Sequence, residues 1–282
     1  MTSTAVDLVN RAQTLISMPD TFLSVQQLMD SQTSTIVDFS NVVQLDPGLS
    51  GRLLRIANSS FFGFPTSIET TERALNLMGI AQLHDLVLAS SVIQASSKLP
   101  ITVLNKMDFW RDSIHCAVLC RMIAQKINIL ESGRLFVAGL LHQLGYLIIC
   151  AEEPEKAAYI LDKCRNDMTP RHLVEQEILG VDYAQVGVEL MRQWDLSVLF
   201  QETTEYQNNP EKAPQFKREA TIVHLAQQIV HQINDGKKGN SQALNVSPAN
   251  LDLLSLDAEQ IESIKQDSKE ALVESMRLLL TS

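Results

Sequence analysis

The sequence predicts an all-α fold, and three observations carry that prediction. Apolar residues recur at three- and four-residue spacing through most of the 282 residues. No alternating polar–apolar run is long enough to make a useful strand. Residues that start and stop helices stand where the periodic segments begin and end. A multi-helical bundle follows, with ample chain for a core and room for an N-terminal helical lobe beside a larger one.

Val6 to Ile16 is amphipathic and ends near Met18-Pro19. Phe22 to Met29 is a second helix, with Asp20 or Thr21 placed to cap it. Ser34 to Leu45 is a third, and Asp46-Pro47-Gly48 turns the chain. Proline tolerates the first helical position, so Asp46 suits the start of Leu49–Ala57, which closes at Asn58-Ser59-Ser60. Phe61-Phe62-Gly63-Phe64-Pro65 is an aromatic, kinked loop. Glu69 to Met78 is helical and Gly79 caps it as a left-handed glycine. Leu83 to Ala95 continues until Lys98-Leu99-Pro100.

Further helices run over Pro154–Arg165, Pro170–Leu179, Ala184–Trp194 with Asp182 as N-cap, and Ser197–Tyr206. The polar loop Gln207–Gln215 leads into Phe216–Asn234. Asp235-Gly236-Lys237-Lys238-Gly239-Asn240-Ser241 is the clearest flexible stretch. Pro248–Leu254 and Ala258–Leu280, capped by Asp257, complete the chain.

A formal net charge of -10, with no Lys/Arg run longer than a pair, argues against nucleic acid as a partner. Phosphate contact needs clustered cations. Four cysteines without a CxxC pair read as buried free thiols in a reducing compartment. Met1–Asp7 lacks a basic flank and a long apolar core, and no window is expected to approach a membrane span. The expectation is a cytoplasmic protein with no membrane partner.

Phe109 to Gly145 is the organising stretch, two core helices meeting at one face. His142 there stands beside Gln143 among leucines and glycines. A carboxylate after that histidine would suit a metal, because imidazole and carboxylate together fit hard and borderline cations. An amide stands in its place.

The segments Asp46–Ser50, Arg52–Ser59, Phe61-Phe62-Gly63 and Ala74–Gly79 together resemble the first half of HDOD domains, the HD-related output domains of bacterial signalling proteins. Phe109–Ser113, Gly139–Gly145, and Asp182–Gly187 with Trp194 look like the second half. The resemblance suggests an N-terminal helix over 1–17 and the HDOD domain over 18–233, with lobes 18–99 and 100–233. Residues 234–282 are then a flexible loop and C-terminal helices packed on the HD-like lobe. It also implies an HD-superfamily-like bundle, since the related HD and HD-GYP phosphohydrolases fold around one or two metal ions.

In that register the first metal histidine falls at Asp112, and the His–Asp pair at His142 and Gln143. A further histidine falls at Tyr183, a paired-histidine segment near Tyr206-Gln207-Asn208, and the closing aspartate at Gln227. Only His142 remains a strong ligand in place. A hydrolytic centre needs about three protein ligands and an open position. The resemblance therefore implies a degenerate, non-catalytic pocket without a cofactor, in a regulator that contacts signalling proteins or senses a ligand.

Beside a purely structural adaptor, whose partner face would be an exposed apolar patch around Phe61–Phe64, two alternatives stay open. In one, Asp112 and His142 are joined by Asp182 or Glu205 to hold a divalent metal ion, in a phosphohydrolase of nucleotides or cyclic dinucleotides; Asp112, His115 and Cys116 share a helix face by spacing. In the other, the pocket binds a nucleotide without cleaving it, and Arg111, Arg171 and Arg192 are the cations near it in sequence. The resemblance also offers Asn58, Ser59, Phe61 and Phe62 as a partner surface, while Asn58 and Ser59 equally suit a helix end. His84-Asp85, the one literal His-Asp dipeptide, reads as a solvated helix face, and His115, His172, His224 and His231 as core or surface residues.

Overall fold

The computed structural model describes residues 4–13, 16–59, 67–167, 169–237 and 244–280, and among these it contains helices and no strand. In chain order they are α1 (Ala5–Ala12), α2 (Asp20–Asp30), α3 (Ile36–Gln44), α4 (Pro47–Ala57), α5 (Thr71–Met78) and α6 (Ile80–Ser97). Then come α7 (Lys106–Lys126), α8 (Ser132–Leu141), α9 (Leu144–Glu152), α10 (Pro154–Asp167), α11 (Arg171–Leu179), α12 (Tyr183–Gln193) and α13 (Val198–Glu205). A short 3-10 turn at Pro210–Lys212 precedes α14 (Lys217–Lys237), α15 (Pro248–Leu254) and α16 (Ala258–Leu280). The expected all-α fold holds.

The chain forms two compact units. One comprises residues up to Ile16 together with Lys98–Lys269; the other comprises Ser17–Ser97 with residues from Glu270 onward. In the first, α7 packs along α8, α9 crosses α12, α1 lies on both α9 and α12, and α14 packs on α7 and α13. Two glycines set the spacing of this core. A Cβ on Gly139 of α8 would meet the Ala117 backbone at 2.7 Å and Cys120 Sγ at 2.8 Å on α7. A Cβ on Gly145 of α9 would fall against the Tyr183 carbonyl and the Gly187 amide of α12. Helices can approach this closely only where one of them carries no side chain.

In the second unit, α3 packs on α5 and α2 on α6, around Phe22, Phe39, Leu53, Leu75 and Leu88. Asp46 caps α4 by accepting from the Leu49 amide at 2.9 Å. Asn58 ends that helix and clamps the chain ten residues on: its Nδ2 donates to the Ile68 carbonyl at 2.7 Å and its Oδ1 accepts from the Ile68 amide at 2.8 Å.

Three local readings change. Pro19, not Asp20 or Thr21, stands at the N-cap of α2, and no side chain caps it; Asp20 lies in the first turn, where its carboxylate complements the helix dipole. Gly79 has positive φ (86°) but an extended ψ (157°), because α6 begins at the next residue and leaves no room for a left-handed turn. Ser132–Glu152 is apolar enough for a membrane span, with a mean hydropathy of 1.6, against the expectation that no window comes close. Its apolar residues make core instead: 83% of the window is buried, and the chain breaks at His142-Gln143 between α8 and α9.

Candidate functional site

The break between α8 and α9 places His142 and Gln143 at the centre of the first unit. His142 is buried and its Nδ1 lies 2.6 Å from the Gly139 carbonyl. A carbonyl only accepts, so Nδ1 carries a hydrogen, and the ring also hydrogen-bonds the Cys116 thiol. Burial raises that thiol, but the hydrogen bond with Cys120 and then the charge and hydrogen bond of His142 outweigh it and bring it down to about 6. His142 thus keeps the form of a metal-binding histidine, one nitrogen oriented by a carbonyl. What it lacks is a set of partner ligands.

A chain of neutral hydrogen bonds runs outward from its backbone. The His142 carbonyl accepts from Gln207 Nε2 at 2.8 Å. The Tyr183 hydroxyl faces Gln207 Oε1 and Asn208 Oδ1, each at 3.3 Å, and accepts from Gln227 Nε2 at 3.0 Å. Tyr183, Gln207, Asn208 and Gln227 are therefore joined through a phenol and amides. Tyr183 and Gln227 are both buried, and Gln227 Oε1 has no hydrogen-bond partner among the described residues.

Gln143 bonds elsewhere. Its Oε1 accepts from Arg171 Nη2 at 3.2 Å. The Arg171 guanidinium stacks on the rings of Tyr146 and Tyr183, with Cζ 3.9 and 4.5 Å from their centroids. Its Nε lies 3.4 Å from Glu175 Oε1, an ion pair whose geometry makes no hydrogen bond. Glu175 is fully buried and its other oxygen accepts the Tyr183 amide at 2.8 Å. Burial pushes its carboxyl up to about 7 despite the nearby guanidinium.

The remaining candidates are committed to other partners. Asp112 accepts from Arg111 at 3.2 Å and from Asn234 Nδ2 on α14 at 2.9 Å. Asp182 caps α12, accepting from the Gln185 amide at 2.9 Å and from Gln176 Nε2 at 2.9 Å. Glu205 lies 3.7 Å from Arg192. The shared face of Asp112, His115 and Cys116 divides: His115 pairs with Ser268 Oγ at 2.9 Å, while Cys116 faces His142.

Among the described residues, no three His, Cys, Asp or Glu side chains converge as a metal would require. Asp112 is engaged by Arg111 and Asn234, and the other donors beside His142 are amides and a phenol, with a guanidinium cation hydrogen-bonded to Gln143. A divalent cation needs anionic or imidazole ligands, and this set does not fit one.

Asn58 and Ser59 belong to the other unit, where Asn58 clamps Ile68 and Ser59 Oγ donates to the Ile56 carbonyl at 2.6 Å. Phe61 and Phe62 lie outside the described residues. His84 Nδ1 lies 3.5 Å from Asp85 within α6 of that same unit, and Asp85 is buried, so the pair is not the solvated helix face expected. Sequence reasoning did not find Cys116 beside His142, Glu175, Tyr146 or Asn234. None carries a signal until the helices that hold it are packed.

The model of the HDOD domain matches residues 15–210. A crystallised protein of Shewanella amazonensis SB2B named "Putative phosphohydrolase" is 25% identical, with a TM-score of 0.72 over 99% of this chain and 98% of its own. One of Marinobacter aquaeolei VT8 named "Putative signal transduction protein" shares the fold at 19% identity, with a TM-score of 0.75 over 97% of this chain and 61% of its own. An uncharacterized protein of Treponema pallidum is 22% identical over 217 residues, which are 76% of this chain and 41% of that relative's length. With that domain model covering well over half of the sequence, on an all-helical fold, the chain belongs to the HDOD family, a relative of the HD phosphohydrolases.

Proposed function

We propose that this chain is a non-catalytic bacterial signalling or regulatory protein of the cytoplasm. Its degenerate HD pocket serves regulation, through contact with signalling proteins or by sensing a ligand. One observation carries the reading: the polar side chains at these positions are bonded mainly to neighbouring side chains. Tyr183 engages Gln227 and Gln207, Gln143 engages Arg171, and Asp112 engages Arg111 and Asn234. A guanidinium beside Gln143 also repels a second cation, and that repulsion grows where the surroundings are less polar than water. Hydrolysis of a phosphodiester at neutral pH needs an activated water; Gln143, Tyr183 and Gln227 provide no base for it, and the Asp112 carboxylate is engaged by Arg111 and Asn234.

The test is turnover. Purified full-length protein is incubated with bis(p-nitrophenyl) phosphate and with cyclic dinucleotides, each with added manganese, magnesium or iron(II). The reading expects rates at the buffer blank in every case. Metal-dependent turnover that disappears in Asp112→Ala and His142→Ala would replace it with the rearranged phosphohydrolase site.

A further inference from the structure

All three cations near the pocket in sequence face carboxylates, but Arg171 lies 3.4 Å from Glu175 without a hydrogen bond to it. Arg111 pairs with Asp108 at 2.6 Å and Asp112 at 3.2 Å, and Arg192 lies between Glu189 at 3.8 Å and Glu205 at 3.7 Å. Arg171 is held differently. Two tyrosine rings fix its plane, Gln143 takes a hydrogen from Nη2, and Nη1 makes no hydrogen bond among the described residues. Its side chain remains 24% accessible.

We propose that the Arg171 guanidinium is the recognition point of an oxyanion site, taking a phosphate or carboxylate group at the positions that relatives use for metal. An arginine fork suits a tetrahedral or planar oxyanion, and stacking removes the rotamer entropy that binding would otherwise cost. Gln143 stands at the start of α9 and Arg171 opens α11, two helices whose first turns have no side-chain cap. Each N-terminus carries the positive pole of its helix dipole. Glu175, the one carboxylate against Arg171, loses much of its charge near neutral pH because burial raises it.

His231 reports on this potential. It is exposed on α14, yet the protein around it and then the charges of Arg171 and His142 push its imidazole below the ordinary range, while Asp235 pulls the other way. An anion on Arg171 reverses that push and raises the His231 pKa. The inference rests on the metal-free reading of the pocket, and the experiment separates the two.

The His231 imidazole is followed by NMR in the full 282-residue chain while inorganic phosphate is added, and acetate in a parallel series, with metal content measured on the same samples. The expected result is a saturable shift and a raised His231 pKa, absent in Arg171→Gln. Response to phosphate alone identifies a phosphoryl ligand; response to both extends the class to carboxylates. Gln143→Glu serves as a second variant that keeps the shape of the side chain. Its carboxylate beside Nη2 supplies an internal anion, and phosphate affinity falls by about tenfold or more. No saturable response in metal-free protein, or one that persists in both variants, overturns this inference and leaves the non-catalytic reading standing. Stoichiometric metal in the samples overturns that reading instead.

Discussion

Replacing Gly145 by alanine is the sharpest structural perturbation of the pocket. The new Cβ falls against the Tyr183 carbonyl and the Gly187 amide, with Val186 C at 3.0 Å. All three are backbone atoms of α12, so no flexible side chain can yield. Restoring ordinary contact, about 3.5 Å between non-bonded heavy atoms, requires α9 and α12 to part by roughly 1 Å. Overpacking that side chains absorb costs about 1–3 kcal/mol, and a backbone clash belongs at or above the top of that range. The intrinsic gain of alanine over glycine in a helix returns at most about 1 kcal/mol. We expect a net loss of roughly 2–3 kcal/mol, read as a lower denaturant midpoint at unchanged slope. Gly133 of α8 is the control. Nothing lies within 4 Å of its Cβ position, so Gly133→Ala stabilises by about 0.5–1 kcal/mol. Tyr146 rides on α9 and Tyr183 on α12, so Gly145→Ala also loosens the two rings around Arg171. A Gly145→Ala midpoint equal to wild type, with Gly133→Ala raised, would refute the claimed close crossing.

Three further outcomes follow from the same geometry. Glu175 is held at about 7, above its ordinary 4.5, so the folded state retains a proton that the unfolded state has lost. Stability from this group is therefore full below about 4.5 and declines as pH rises towards 7, by at most roughly 3 kcal/mol; Glu175→Gln should flatten that slope in unfolding curves taken across the range. Asp112→Ala removes an ion pair that is about one-third exposed and one amide bond, so calorimetry should record a loss of no more than about 1 kcal/mol. Asn58→Ala deletes both bonds to Ile68 and one to the Leu54 carbonyl, and should cost about 1–3 kcal/mol, with faster proteolysis between residues 58 and 68.

Much of the fold was legible because local chemistry decides it. Asp46 and Asp182 cap the helices their positions suggested, and the periodic segments became helices with ends shifted by a few residues. His142, Tyr183, Gln207 and Gln227 share one hydrogen-bonded chain, while Asp112 and Gln143 bond elsewhere. The bonding partners were not legible. Arg171 was visible only as one of three nearby cations, because its clamp unites Tyr146 and Tyr183 from two helices that meet only in the folded core. The need for glycine at 145 is likewise created by the crossing of α9 over α12, and nothing adjacent in sequence announces it. Asp182 looked available for a metal until its second oxygen was found on Gln176.

The most direct test of the central claim is the metal content of the protein purified without chelator or affinity-tag metal, beside the Asp112→Ala/His142→Ala double variant. A pocket closed by its own amides, phenol and guanidinium predicts metal at background in both. Near-stoichiometric metal in the wild type, lost in the double variant, would contradict the account and make the pocket a working metal centre.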